Sequence, residues 1–314
     1  MQKILITGAK GMLGKQFCAS LRNLGVDPIE HCRDLANLED AVKTYEYVKY
    51  VNPDVIIHCA ALVGGIKANL EGGDSFYKIN KSIDENVFRV AQSLEIKNLV
   101  YISSSCAYPS NRDVIIGVSE IGKEPIEESN RNYAQAKIEG MFKVQKIAKE
   151  QDFNWRVIIA SNLYGPYDNF RTEAAHLIPS IIRKAIHAKK NKEKFIEMWG
   201  DGTPRREFTY GPELTMWISK SLSKLEEFPT IMNVGLGLDF TVRQYYEYVL
   251  EAIGYDAEIV PNNLLPNGTM RKLMDSSVAK KLGWQPKVLP KEGILKTLEW
   301  LNKKENYFAS TGNK

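Results

Sequence analysis

The stretch Ile4-Leu5-Ile6-Thr7-Gly8-Ala9-Lys10-Gly11-Met12-Leu13-Gly14 confines this 314-residue chain to few folds. A short apolar run ends at a glycine, two more glycines follow at intervals of three, and an amphipathic pattern begins at Met12. A buried strand must therefore turn sharply and feed a helix. Glycine permits such a turn and lets another group approach the backbone closely. The helix start then offers free N–H groups and the positive end of its dipole, a setting suited to phosphate. The spacing is Gly-x-x-Gly-x-x-Gly rather than Gly-x-Gly-x-x-Gly. Its place, between a first strand and a first helix, is nevertheless that of a dinucleotide cradle. Gly8, Lys10, Gly11, Met12, Leu13 and Gly14 are the expected cofactor contacts here, joined by Ala60 and Ala61 after a later strand.

Short apolar runs alternate with longer amphipathic ones. Strands are expected over 3–7, 26–30, 54–59, 98–103 and 155–160, with helices over 12–24, 38–50, 75–94 and 130–150 between them. Such alternation predicts an α/β fold, a doubly wound parallel sheet of the Rossmann type with helices on both faces. Beyond residue 160 the rhythm breaks, and Pro, Gly and aromatic residues become frequent, as in 162–169, 199–204 and 261–268. The expected division is a dinucleotide-binding domain over 1–160, rejoined over about 209–235, and a smaller α/β substrate-binding region from 161–208 and 236–314. Ligands of such sheets lie outside the carboxyl ends of the strands. The stretch Ser103-Ser104-Ser105-Cys106-Ala107-Tyr108-Pro109, which closes the fourth strand, therefore belongs to the candidate site.

Composition mainly excludes. With 44% hydrophobic and 25% charged residues, the chain is that of an ordinary globular protein. Apolar runs such as Val55-Ile56-Ile57 fall far short of the ~20 residues a membrane helix needs. A strand beginning almost at Met1 leaves no room for a signal peptide. Cys18, Cys32, Cys59 and Cys106 lack metal-type spacing, and His31, His58, His176 and His187 are equally scattered. No metal site and a reducing cytoplasm are therefore expected. A net charge of +4 is too small to argue for nucleic acid and suits an anionic small ligand.

The end of the second strand bears on the choice of dinucleotide. A carboxylate there accepts the ribose 2′-OH of NAD, whereas a nearby arginine pairs with the 2′-phosphate of NADP. The segment is Ile29-Glu30-His31-Cys32-Arg33-Asp34. Glu30 is the NAD-type candidate. Arg33, beside Asp34, and Lys10 in the glycine loop are candidates for the 2′-phosphate, and these two cations favour NADP. Tyr133 and Lys137 stand four apart on an expected helix, hence on one face. An ammonium beside a phenol stabilises the phenolate and lowers its pKa from about 10. That allows a tyrosine to exchange a proton at neutral pH. Ser104 adds a hydroxyl for the same substrate oxygen. The expected chemistry is hydride transfer to a carbonyl carbon while Tyr133 protonates its oxygen.

The order of these motifs resembles the extended short-chain dehydrogenase/reductases, and their detail resembles the GDP-L-fucose synthase family within them. The resemblance rests on Val63-Gly64-Gly65-Ile66, Ser104-Ser105-Cys106-Ala107-Tyr108-Pro109, Tyr133-Ala134-Gln135-Ala136-Lys137 and the run from Asn162 to Phe170. It continues with His176-Leu177-Ile178-Pro179, Trp199 to Phe208, Asn233-Val234-Gly235 and Gly268 to Leu273. It implies Ser104, Tyr133 and Lys137 as the reductase triad. It implies Cys106 and His176 as the acid/base pair that inverts C3 and C5 of a GDP-linked 4-keto-6-deoxy-sugar. It also implies NADPH as cofactor, with Tyr133, Lys137 and His176 near it, and a homodimer formed by the helices over 75–94 and 130–150. Substrate contacts are implied for Val63, Ser105, Cys106, Asn162, Lys184, Trp199, Arg206 and Arg271.

The chemistry is coherent. Protons on carbons beside a ketone are acidic because the carbanion delocalises as an enolate, and inversion needs a base on one face and an acid on the other. Two departures fall in the substrate half. Leu265 stands where the family has a lysine on the diphosphate, leaving Arg206, Lys184 or Arg271 to compensate. Thr209-Tyr210-Gly211-Pro212-Glu213 replaces the family's Leu-His-Val-Asp-Asp. The sugar can therefore be mannose- or heptose-derived, and some members of the family reduce heptoses and leave epimerisation to a separate enzyme. A dehydratase would carry Asp-Glu where Ser105-Cys106 follows Ser104, and a 4-epimerase would retain NAD. A non-catalytic dinucleotide sensor would not need the triad.

Overall fold

The computed structural model describes residues 2–303 except 111–112, 172–174 and 266. The first half runs β1 (Ile4–Thr7), α1 (Met12–Asn23), β2 (Ile29–Glu30), α2 (Ala41–Val51), β3 (Val55–His58), α3 (Ile66–Gly72), α4 (Asp74–Ser93), β4 (Asn98–Ser104), α5 (Arg131–Gln151) and β5 (Asn154–Ala160). The second half runs β6 (Asn162–Tyr164), α6 (Leu177–Asn191), β7 (Phe195–Trp199), β8 (Arg205–Arg206), β9 (Phe208–Tyr210), α7 (Gly211–Ser221) and β10 (Ile231–Val234). It ends with β11 (Phe240–Thr241), α8 (Val242–Ile253), β12 (Glu258–Asn262), β13 (Arg271–Lys272), α9 (Ser277–Lys281) and α10 (Pro290–Lys303).

Local chemistry sets several boundaries. α1 closes with Gly25 at φ +75°, and the Val26 N–H donates to the Leu21 carbonyl while that of Gly25 donates to Arg22. This pair of bonds is a Schellman closure. It spends the Val26 amide, and Pro28 has none to give, so β2 is shorter than the expected 26–30. Asp40 accepts from the Val42 and Lys43 N–H groups and starts α2 at Ala41.

Six strands form one sheet in the order β10-β5-β4-β3-β1-β2, every neighbouring pair parallel. The chain leaves β1 for β2 and then returns to place β3 on the other side of β1. The switch point lies between β1 and β3, and the crevice at their carboxyl ends is where such sheets bind ligands. Leu5, Ile56, Leu99, Tyr101 and Val157 face one core with residues of α2, α4 and α5, among them Val48, Phe88 and Met141. Ile4, Ile6, Val55, Ile57, Val100 and Ile158 face the other, with Phe17 of α1 and Leu214 and Ile218 of α7. Burial on both faces is why these strands read as continuous apolar runs. A third core gathers Tyr164, Ile178, Ile181, Phe208, Tyr245, Ile294 and Leu298 beneath the small β6-β9, β7-β12 and β11-β8-β13 pairings. Among the described residues, no helix is long and apolar enough to cross a membrane.

Candidate active site

β1 ends on Thr7, and Gly8 turns with φ +68°. A Cβ on Gly8 would come within 2.8 Å of the Ala60 Cα, and one on Gly14 within 2.7 Å of the Ala9 Cα. The ends of β1 and β3 and the first turn of α1 are thus pressed into one concave backbone surface. Thr7 stitches it together: its Oγ1 accepts the N–H groups of Cys59 at 3.1 Å and Ala60 at 3.2 Å. Gly11 caps α1 without a side-chain acceptor, so the amides of Met12, Leu13 and Gly14 open toward the crevice end of the helix. This backbone fits a pyrophosphate, since donors are present and no Cβ stands in the way. Gly14→Ala is expected to weaken dinucleotide binding about tenfold or more, equivalent to about 1.4 kcal/mol, read by fluorescence titration.

The cations near the 2′ position are exposed. Lys10 pairs with Asp34 at 2.5 Å and Arg33 with Glu39 at 2.7 Å, with the Lys10 and Arg33 side chains 67% and 74% exposed. Glu30, the NAD-type carboxylate, is already engaged by Arg22 at 2.5 Å.

At the end of β4, Ser104 Oγ accepts the Cys106 N–H at 3.3 Å and opens a tight turn over Ser105–Ala107. Ser105 is buried, and its carbonyl accepts the Tyr108 N–H. The Tyr108 hydroxyl donates to Asn233 Oδ1 at 2.5 Å, which anchors the turn to β10. Asn130, just before α5, donates Nδ2–H to Cys106 Sγ at 3.4 Å. Burial, then Cys106 and Asp84, push the Tyr133 phenol well above its ordinary range. The expectation that Lys137 lowers it is not what the structure shows. The Lys137 ammonium is turned to Asp84 Oδ2 at 3.5 Å and lies 4.6 Å from the Tyr101 ring centre. Tyr133 is therefore held protonated, the state that donates.

His176 caps α6 and is exposed at its surface, yet the chain around it removes enough water to lower its pKa. This shift favours the neutral, proton-accepting imidazole. Asp168, in the loop before it, is buried; Oδ1 accepts the Asn169 N–H at 2.8 Å and Oδ2 has no hydrogen-bond partner among the described residues. Burial pushes this carboxyl up to about 7 from 3.8. A raised carboxyl means that the folded state binds the proton more tightly, so its stabilisation is full below pH ~4 and lost as pH rises to ~7. The Tm difference between the parent and Asp168→Asn should change across that window and be flat above it.

The substrate-half cations differ in how they are committed. Lys184 donates to the Glu197 carbonyl at 2.9 Å and lies 5.8 Å from the Trp199 ring centre. Asn162 Nδ2 donates to the Glu207 carbonyl at 3.1 Å. Arg206 donates to the carbonyls of Arg205 and Thr269 and has no carboxylate bonded to it among the described residues. Arg271 is different: Asp239 holds it at 2.6 Å while also pairing with Arg205, and Asp113 lies 3.4 Å away. Arg271 is thus paired with carboxylates within the fold, whereas Arg206 is bonded only to carbonyls among the described residues. Lys272, opposite Arg206 in the β8-β13 register and 3.7 Å from Glu127, was not singled out by the sequence reading. Neither were Asn130, Asn80, His58 and Asp84. Asn80 is fully buried and clasps the N–H and C=O of Leu62, which fixes the start of the segment carrying Val63. Val63 itself is exposed.

A glycine cradle at the switch point of a six-stranded parallel sheet defines a Rossmann-type dinucleotide-binding fold, and the chain has that fold. The chain belongs to the NAD dependent epimerase/dehydratase family, whose model matches residues 4–235. It is 35% identical over 306 residues to the GDP-L-colitose synthase of Yersinia pseudotuberculosis, covering 97% of this chain and 99% of that one. It is 36% identical over 299 residues to the GDP-L-fucose synthase of Azorhizobium caulinodans, covering 95% and 96%. The structure of the GDP-mannoheptose C4 reductase from Campylobacter jejuni with NADP bound superposes with a TM-score of 0.86 at 24% identity, covering 96% of this chain and 98% of that one.

Proposed function

We propose that the protein is an NADPH-dependent C4-ketoreductase of a GDP-linked 4-keto-6-deoxy-sugar, mannose- or heptose-derived, in which Cys106 and His176 also exchange protons at C3 and C5. The observation that carries this reading is the turn at the end of β4, where Ser104 Oγ accepts the Cys106 N–H and the Tyr133 phenol lies under the influence of Cys106. The amides of Met12, Leu13 and Gly14 would hold the pyrophosphate of the cofactor, and Lys10 and Arg33 its 2′-phosphate. When bound, NADPH supplies the hydride. Tyr133 delivers its proton to the C4 oxygen, and the Ser104 hydroxyl bonds that oxygen. Cys106 and the neutral His176 move protons on the carbons flanking the ketone. Arg206, Lys184 and Trp199 would bind the nucleotide diphosphate, and the names of the relatives support GDP as that nucleotide. Four free cysteines suit a reducing, cytoplasmic setting, and α4 and α5 are the faces on which a homodimer would form. The test offers NADPH or NADH with GDP-4-keto-6-deoxy-mannose and its heptose analogue. The reading expects NADPH to be oxidised in preference to NADH with one of these sugars. Dinucleotide binding without oxidation by either would favour a non-catalytic sensor instead.

A further inference from the structure

Behind the reductase pair runs a chain of buried polar groups that no step above uses. Thr7 Oγ1 lies 2.6 Å from His58 Nδ1, and His58 Nε2 lies 3.0 Å from Asp84 Oδ1. Asp84 Oδ2 receives the Tyr101 hydroxyl and, at 3.5 Å, the Lys137 ammonium. The proton positions follow by counting. Both lone pairs of Thr7 Oγ1 are taken by the amides of Cys59 and Ala60, so its one proton goes to His58 Nδ1. His58 therefore carries its own ring proton on Nε2 and donates it to Asp84. Burial keeps this imidazole neutral. Asp84 then accepts from a histidine, a tyrosine and a lysine, and the cluster holds one anion and one cation. The side chains of Asp84 and Lys137 are only 3% and 2% exposed. Gly140 of α5 makes room for them: a Cβ there would stand 2.5 Å from the Tyr101 hydroxyl and 2.9 Å from Asp84 Oδ2.

We infer that Asp84 is a positioning residue for the reaction: it supplies the counter-charge that keeps Lys137 protonated in the interior, and through His58 and Thr7 it ties that ammonium to the backbone of the cofactor cradle. An ammonium out of water holds its proton only beside an anion; burial alone lowers a lysine by up to roughly 3–5 units. The titratable groups facing Lys137 are His58 of β3, Cys59 after it, Asp84 of α4 and Tyr101 of β4. Of these, Asp84 alone is anionic at neutral pH. His58 and Asp84 are 26 residues apart in sequence, and Asp84 and Lys137 are 53 apart, so the unit exists only in the folded chain.

The inference rests on reading Tyr133 and Lys137 as the reductase pair, but its first readout does not. With [¹³Cε]lysine labelling, the Lys137 resonance is assigned by its loss in Lys137→Arg and followed against pH without substrate. In Asp84→Asn its midpoint should fall by about two units or more, NADPH-dependent turnover should decline as pH rises through the new midpoint, and Asp84→Glu should restore the parent profile. A Lys137 titration identical in Asp84→Asn and the parent overturns the inference. Where Asp84→Asn fails to fold, the double variant Asp84→Asn/Lys137→Met decides. It should fold if the unpaired ammonium is the cause, and its failure to fold overturns the inference as well. Turnover retained in Tyr133→Phe would instead remove the reductase reading and leave the Lys137 titration result standing.

Discussion

Tyr133→Phe is expected to lower NADPH oxidation with a GDP-4-keto-6-deoxy-sugar by roughly 10²–10⁴-fold, the usual worth of a positioned general acid. The substitution removes one hydroxyl and keeps the ring, so the packing of α5 against β4 should persist. The Lys137 ammonium is committed to Asp84 Oδ2 at 3.5 Å. Dinucleotide affinity should stay close to that of the parent, because the cradle is built from Gly8, Gly11 and Gly14 and the end of β3. The diagnostic pattern is therefore a loss in kcat with NADPH titration unchanged. A loss below tenfold would mean that the C4 oxygen takes its proton from another group.

Cys106→Ser is expected to lower proton exchange at C3 and C5 by roughly 10²–10⁴-fold while reduction of an already epimerised ketone stays within about threefold. A serine hydroxyl is a far weaker acid than a thiol, yet it can still accept the Asn130 N–H that reaches Cys106 Sγ at 3.4 Å. The turn after β4 should therefore hold its shape, and Ser104 and Tyr133 their places. Exchange should also persist below the ordinary imidazole pKa of 6.5, because loss of water around the exposed His176 ring lowers its pKa and favours the base at more acid pH. Exchange and reduction falling together in Cys106→Ser would show that the thiol supports the turn rather than the proton transfer.

The parts of this account that could be read from sequence share a physical property. β1, β3, β4 and β5 are buried on both faces, so they stand out as apolar runs, and the glycine spacing marks where the first of them turns. Tyr133 and Lys137 are legible because helical spacing is local. What escaped was long-range. His58 looked like a stray histidine in an apolar strand, since its partner Asp84 lies on a different element. Arg271 looked available for a diphosphate, since Asp239, 32 residues away, neutralises it only once β13 pairs beside β8. The raised pKa of Tyr133 was missed for the same reason. Four-residue spacing brings Lys137 onto its face, but Asp84 and Tyr101 arrive from α4 and β4 and claim the ammonium. Two-residue strands such as β8, β11 and β13 have no period to detect; pairing alone defines them.

The most direct test of the central claim is a single reaction in deuterated water. The enzyme is given NADPH and GDP-4-keto-6-deoxy-mannose or its heptose analogue, NADPH loss is followed optically, and the product is read by NMR. The account predicts NADPH consumption, protium from the cofactor at C4, and deuterium at C3 and C5. Reduction with protium retained at C3 and C5 would contradict the role given to Cys106 and His176, and dinucleotide binding with no NADPH consumed by either sugar would contradict the account as a whole.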